Sequence, residues 1–126
     1  MIHHHPVRVY YEDTDFAGVV YYANYLKFIE RGRSEWVRDA GLDQNALKAS
    51  GTVFAVRRVT ADYFAPAHFD DDLVVTTEPV KFGGASLTFL QRVMRGDVLL
   101  FEATVVVVAV DNNGKAQRLP AGIRPE

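Results

Sequence analysis

The residues of this chain best suited to chemistry are two aspartates, Asp13 and Asp15, in a short acidic segment that is followed by Gly18. Alternating apolar and polar residues precede the segment, and an amphipathic helical pattern follows it. This order predicts a carboxylate beside the start of a helix, where unpaired N–H groups favour negative charge. A carboxylate in that position can act as a nucleophile or a general base, while a backbone N–H polarises a carbonyl oxygen.

Asp15 is the first candidate, and the residues alone leave two interpretations of it open. It is either the reacting carboxylate or a helix N-cap or Asx turn. Asp13 carries the same ambiguity and is expected mainly to shape the turn. Gly18 lacks a Cβ, which permits positive φ and lets a substrate approach the backbone. The N–H groups from Val19 to Tyr22 are predicted to be the first of the helix, and they are candidates for an oxyanion hole.

Other chemically active side chains are scattered along the chain. Most of the aromatic residues near the acidic segment are attributed to core and interface packing, while Phe16 and Tyr22 are candidates for an acyl pocket. Glu30 and Glu35 are alternative carboxylates, although a solvated helical face is the simpler interpretation of Glu35. His68 is either a general base or, more simply, an exposed loop residue.

One long amphipathic helix is expected to carry this site. Its apolar positions recur at spacings of three, four and seven, which predicts a helix of about five turns that ends at Gly41. The predicted stripe is Tyr22, Leu26, Ile29, Trp36, Val37 and Ala40. Gly32 interrupts the stripe, and we expect it to allow close approach of a neighbouring element.

Strand patterns surround the helix. A strand is predicted from Val7 to Glu12, and a short helix over Asp43 to Ser50. The later strands are predicted at Val53 to Phe64, Leu73 to Phe82, Ser86 to Met94 and Val98 to Val110. The last of these is nearly all apolar, so we expect burial on both of its faces.

A strand, a long helix and then a run of antiparallel strands define an α+β fold. The expected arrangement is the hotdog fold, in which one long helix packs on a curved antiparallel β-sheet. Residues 1–126 are predicted to form a single domain, with a flexible terminus over residues 1–6. Because one helix covers only one face of the sheet, some apolar surface should remain for a partner subunit.

Composition limits the possible functions. With 48% hydrophobic and 24% charged residues among 126, the chain has the balance of a globular protein rather than of a disordered one. A net charge of −2 gives no basic surface for nucleic acid. The absence of cysteine excludes disulfides and thiolate sites. A metal site formed by His3, His4 and His5 is not favoured, because metal ligands normally converge from separate ordered elements.

The segment from Tyr11 to Trp36 resembles the hotdog-fold acyl-CoA thioesterases, and most closely the Tol–Pal-cluster thioesterases related to 4-hydroxybenzoyl-CoA thioesterase. The resemblance extends through Asp62-Tyr63-Phe64-Ala65-Pro66-Ala67 to Arg118-Leu119-Pro120. It implies hydrolysis of acyl-CoA thioesters, without a metal or prosthetic group, by a cytoplasmic dimer or tetramer with coenzyme A along a subunit interface.

The resemblance also implies roles for particular residues. The second aspartate of the family's Asp-x-Asp-x-x-Gly pattern, which is the catalytic carboxylate, falls on Asp15. The backbone N–H that polarises the thioester carbonyl falls on Tyr22, with Gly18 in the turn. Many Tol–Pal relatives have histidine at the Tyr22 position, so a backbone role survives here and a histidine side-chain role does not. We further expect substrate contacts from Phe16, Val19, Tyr25 and Glu30.

Two alternatives to hydrolysis remain open at this point. One is a non-catalytic acyl-CoA-binding or scaffold protein, suggested by the missing histidine. The other, less favoured, is a dehydratase acting on acyl-carrier-protein substrates, which needs a loop histidine beside a helix carboxylate. His68 precedes an acidic run at Asp70, Asp71 and Asp72 in the sequence and does not adjoin Asp15.

Overall fold

The computed structural model describes residues 2–124 as an antiparallel five-stranded sheet with one long helix packed on one face. Its elements are β1 (His3–Arg8), α1 (Asn24–Asp39), α2 (Gln44–Ala49), β2 (Val53–Tyr63), β3 (Asp72–Phe82), β4 (Ser86–Arg95) and β5 (Val98–Val110). The predicted α+β hotdog fold is confirmed. No helix within the described range is long and apolar enough to cross a membrane.

The start of the chain differs from the prediction. β1 covers His3–Arg8 and pairs with β3, so the expected flexible terminus over residues 1–6 is wrong from His3 onward. Met1 lies outside the described residues. The strand predicted from Val7 to Glu12 ends at Arg8 and gives way to a 3-10 turn at Tyr11–Asp13. Hydrogen bonding to the edge of β3 orders the first residues. Local periodicity cannot predict this pairing, because β3 is distant in the sequence.

Helix α1 begins later than predicted. Its first residue is Asn24, and it ends at Asp39, just before Gly41 adopts a φ of 87°. The buried stripe is Tyr25, Phe28, Ile29, Gly32, Trp36 and Val37, whereas Leu26 is exposed and Tyr22 lies outside the helix. The prediction for Gly32 is confirmed, since a Cβ added there would lie 2.7 Å from Val75 Cγ1.

The strand order is β1-β3-β4-β5-β2, so β2 forms a free edge of the sheet. Helix α1 packs over β1, β3 and β4, and we call the face that it covers the inner face. The expectation that β5 is buried on both faces is wrong. Its residues alternate, because no element within residues 2–124 covers the outer face. Val105 is buried on the inner face, whereas on the other face Thr104 is exposed and Val106 and Val108 are partly exposed.

Candidate active site

The acidic segment folds as a small hairpin. Thr14 and Val20 form an antiparallel bridge, and Asp15 N–H donates to the Val19 carbonyl at 2.9 Å. Gly18 closes the turn with a φ of 81°, a left-handed conformation that favours glycine, and its N–H donates to the Asp15 carbonyl at 3.0 Å. The turn therefore holds the backbone of Asp15 from both sides.

The Asp15 carboxylate is exposed at this turn. Its Oδ1 accepts a hydrogen bond of 2.9 Å from Ala17 N–H, which is an Asx turn. No hydrogen bond in the described part of the chain uses Oδ2. Both open interpretations of Asp15 are thus compatible, because one oxygen fixes the loop while the other remains available for chemistry.

Asp13 shapes the turn, as expected. Its Oδ2 accepts a hydrogen bond of 2.8 Å from Tyr10 N–H. Its carbonyl accepts from Tyr21 N–H and from Asn24 Nδ2, both at 2.9 Å. These bonds connect the acidic hairpin to the first residue of α1, so Asp13 determines where the hairpin lies relative to the helix.

The predicted helical N–H groups are not helical. Because α1 begins at Asn24, the segment from Val19 to Tyr22 lies in the hairpin and the following turn. Val20 N–H donates to the Ala67 carbonyl at 2.8 Å, and Tyr21 N–H is used by Asp13. None of the hydrogen bonds found over residues 2–124 uses the Tyr22 N–H, so that amide remains available as an oxyanion donor.

An aromatic cavity of about 240 Å³ adjoins Tyr22. Tyr22, Tyr25 and Tyr63 form part of its wall, and the Tyr63 hydroxyl donates to the Tyr22 carbonyl at 2.8 Å. Tyr25 is almost fully buried and its hydroxyl accepts from Ala67 N–H at 3.0 Å. Burial raises the pKa of the Tyr25 hydroxyl, although the Ala67 hydrogen bond acts in the opposite direction. Tyr25 is therefore a neutral wall residue.

The other predicted contact residues fall in two places. Phe16 and Val19 belong to the same hairpin as Asp15, and the Phe16 side chain is fully exposed. Glu30 lies further along α1, on a separate cavity of about 190 Å³. Six residues of α1 separate Asn24, at its start, from Glu30, which is about 9 Å along the helix axis. The structure thus places Phe16, Gly18 and Val19 in the hairpin with Asp15, Tyr22 and Tyr25 at the aromatic cavity, and Glu30 at a separate cavity.

His68 is a neighbour of this site that the sequence analysis placed in an exposed loop. It forms an antiparallel bridge with Val19, and Val19 lies opposite Asp15 in the hairpin. Residues that face each other across antiparallel strands project to the same side. Asp15, Val19 and His68 therefore share one face, which no local sequence signal indicated because 53 positions separate Asp15 from His68 (68 − 15).

Asp71 anchors the His68 segment. Its Oδ2 accepts from His68 N–H at 2.9 Å and from Arg95 Nη1 at 3.0 Å. Burial alone would raise the pKa of the Asp71 carboxyl, but these two hydrogen bonds and the Arg95 charge outweigh it and hold the pKa below its usual value. Within residues 2–124, no group of three or more histidine, aspartate or glutamate side chains is arranged to bind a metal.

Comparisons with known proteins point to one family. A sequence model of the Thioesterase superfamily matches residues 17–102. The acyl-CoA thioester hydrolase YbgC of Escherichia coli O6:H1 is 48% identical over 123 residues, covering 96% of this chain and 92% of that protein. The acyl-CoA thioesterase YbgC of Haemophilus influenzae is 47% identical over 84% of this chain and 79% of its own length.

Solved structures show the same fold. A probable thioesterase from Bartonella henselae superposes with a TM-score of 0.91 at 39% identity, covering 95% of this chain and all of that one. The family match begins at residue 17, two residues after Asp15, so it includes Gly18 and Tyr22 but not the acidic pair.

Proposed function

The chain belongs to the thioesterase superfamily and is an acyl-CoA thioesterase, and we propose that Asp15 is its reacting carboxylate. The observation that carries this proposal is the exposed Asp15, whose Oδ2 accepts no hydrogen bond from residues 2–124 and which a glycine turn holds in the hairpin that leads to Tyr22, whose N–H is likewise unused there. Gly18 contributes by holding the turn and by leaving room above the backbone.

Two chemical routes fit this geometry. In the first, Asp15 Oδ2 attacks the thioester carbonyl, coenzyme A leaves as the thiolate, and water then hydrolyses the mixed anhydride. In the second, Asp15 accepts a proton from the water that attacks. In both routes the Tyr22 N–H stabilises the developing oxyanion, an interaction worth roughly 3–4 kcal/mol for a single donor. The products are a free carboxylic acid and coenzyme A.

We propose that the substrate lies over the hairpin. Phe16 and Val19 would contact it beside the reacting carbonyl, and Tyr25 would support it from within the aromatic cavity. The tyrosine at position 22 cannot take over a role of a histidine side chain, so the backbone N–H is its part in the chemistry, and acyl preference is expected to differ from that of relatives with histidine. No metal or prosthetic group takes part in either route.

A second copy of the chain completes the site in this proposal. The free edge strand β2 has exposed residues over most of its length, including the apolar Val56 and Val59 on the inner face. The unpaired N–H and C=O groups of an edge strand of this length can hydrogen-bond to a strand of another chain. Antiparallel pairing of β2 with its own copy about a two-fold axis gives one continuous sheet with both α1 helices on the same face.

Such a pairing brings two parts of the site together. The Tyr63 end of one β2 would lie beside the Val53 end of the other. The Tyr63 hydroxyl donates a hydrogen bond to the Tyr22 carbonyl. The cavity that contains Glu30 is lined by Phe54 and Val56, at the Val53 end. The Asp15 hairpin of one subunit would therefore face the Glu30 cavity of its partner, and coenzyme A would lie along their interface.

Higher assembly and location follow the same proposal. The outer face of the sheet carries partly exposed apolar residues, such as Leu90, Val106 and Val108, which a second dimer would cover to form a homotetramer. We place the enzyme in the cytoplasm, which is a reducing compartment, because a chain without cysteine forms no disulfides and so needs no oxidising environment.

The test is release of free thiol from a panel of acyl-CoAs by the wild type, Asp15→Asn and Asp13→Asn. Asparagine keeps an oxygen that can accept from Ala17 N–H, so Asp15→Asn preserves the turn while it removes the charge. We expect a loss of at least about a hundredfold in kcat for Asp15→Asn and only a severalfold loss for the matched control. Unchanged turnover by Asp15→Asn would overturn the assignment of Asp15.

A further inference from the structure

The cavity that contains Glu30 has the dimensions of a short acyl site. It encloses about 190 Å³ between α1, β2, the β4–β5 pair and the end of the chain. Its apolar wall consists of Val37, Phe54, Leu87, Phe89, Val107 and Ile123. A dry cavity of about 150 Å³ holds benzene, so this one, which is open on one side, has room for an acyl group of about five or six carbons.

A half-buried guanidinium stands in this wall. Arg33 Nη1 donates to Gln91 Oε1 at 2.9 Å, and Gln91 is fully buried. Gln91 Nε2 in turn donates to the Ile29 carbonyl at 2.8 Å and to Thr77 Oγ1 at 2.9 Å. Because both ends of the Gln91 amide are bonded, it fixes the position of the Arg33 head at the cavity.

The remaining donors of Arg33 find no acceptor within residues 2–124, and no carboxylate there lies within ion-pairing distance of it. Burial lowers the pKa of Arg33, while the charge of Glu30 acts in the opposite direction. Glu30 is itself exposed and accepts from Ser34 Oγ at 2.7 Å, which places it nearer the mouth of the cavity. A partly desolvated guanidinium with one neutral partner is costly to leave unpaired, and a carboxylate satisfies it best through two parallel hydrogen bonds.

We propose that Arg33 binds the distal carboxylate of a short dicarboxylic acyl group, so that the preferred substrates are coenzyme A monothioesters of diacids with about five or six carbons. The inference rests on the proposed function, since it places the thioester carbonyl at the partner's Asp15 hairpin and the far end of the acyl group in this cavity. In this arrangement the methylene chain of the diacid would lie against the apolar wall of the cavity.

The experiment compares kcat/KM for glutaryl-CoA and pentanoyl-CoA, which have equal numbers of acyl carbons and differ at the distal end. The wild type is expected to favour glutaryl-CoA by roughly tenfold or more, the usual worth of a hydrogen bond to a charged group. Arg33→Met should bring that ratio close to one. The control Arg38→Met removes an exposed guanidinium on the same helix, one that pairs with Glu35, and should leave the ratio unchanged.

Each outcome has one meaning. No thiol release from any acyl-CoA would refute the proposed function. Release at equal kcat/KM from both substrates would refute this inference alone. If Arg33→Met fails to fold because it leaves Gln91 unpaired, Arg33→Lys provides the test. Lysine keeps the charge but not the two-pronged geometry, so the preference should survive with a KM for glutaryl-CoA raised severalfold, and an unaltered KM would overturn the role of Arg33.

Discussion

Replacing Gly32 with alanine tests whether contact between α1 and the sheet sets the stability of this fold. Two effects oppose each other. Alanine gains about 1 kcal/mol of helix propensity over glycine. Its Cβ would lie 2.7 Å from Val75 Cγ1 and 2.9 Å from Thr77 Oγ1, and both of those residues are fully buried. Overpacking of a core costs typically about 1–3 kcal/mol.

The packing term should prevail because neither neighbour is free to move. Val75 lies in β3, between β1 and β4, and the Thr77 hydroxyl accepts from Gln91. The helix must therefore shift outward, and we expect Gly32→Ala to lower the free energy of unfolding by about 1 kcal/mol. For a chain of this size that is a fall of about 3–5 °C in melting temperature.

Urea denaturation followed by circular dichroism measures this effect. The propensity term is obtained separately from Arg31→Ala and Arg31→Gly, at an exposed neighbouring position of the same helix. A double-mutant cycle with Val75→Ala should show a favourable coupling of about 0.5–1 kcal/mol, since removal of Cγ1 relieves part of the clash. Stabilisation by Gly32→Ala equal to the Arg31 difference, with no coupling, would refute the packing argument.

Two further predictions concern the site and the assembly. Asp71→Asn should lower the melting temperature at pH 7, and the difference from wild type should shrink as the pH falls below about 4. The reason is that a carboxyl whose pKa is depressed in the folded state stabilises the fold only while it is ionised. A constant difference in melting temperature across that pH range would contradict a role for the charge of Asp71. Val59→Asp should convert the proposed dimer or tetramer to a monomer, as measured by size-exclusion chromatography with light scattering. The control Thr60→Asp lies on the outer face of the same strand, where the second dimer is proposed to pack, so it should leave at least a dimer. An unchanged mass for Val59→Asp would exclude the inner face of β2 from the interface.

The sequence predicted the fold where local pattern and tertiary structure agree. Three positions of the stripe on α1 (Ile29, Trp36 and Val37), the strands β2 to β5 and the close approach at Gly32 were foreseeable from spacing and residue type. β1 was misplaced, because its order depends on pairing with β3 seventy or more residues away (His3 with Thr77, His5 with Val75).

The site was predictable only in part. Residue type and spacing were enough to identify Asp15 and Gly18 as candidates, and Asp13 takes the structural role expected of it. The start of α1 was placed too early because the apolar run Val19–Tyr22 continues a helical pattern, whereas the backbone there pairs with Asp13 and Ala67. The nearness of His68 depends on that long-range pairing and has no local signature.

The hydrogen bond between the Tyr63 hydroxyl and the Tyr22 carbonyl has a kinetic consequence. It connects the last residue of the free edge strand to the peptide unit that precedes the start of α1, so a displacement of the edge is transmitted to the reacting end of the molecule. In the proposed dimer, the specific activity should therefore depend on protein concentration. On dilution, turnover per chain should decline as subunits separate, and saturating substrate should restore it by drawing them together again.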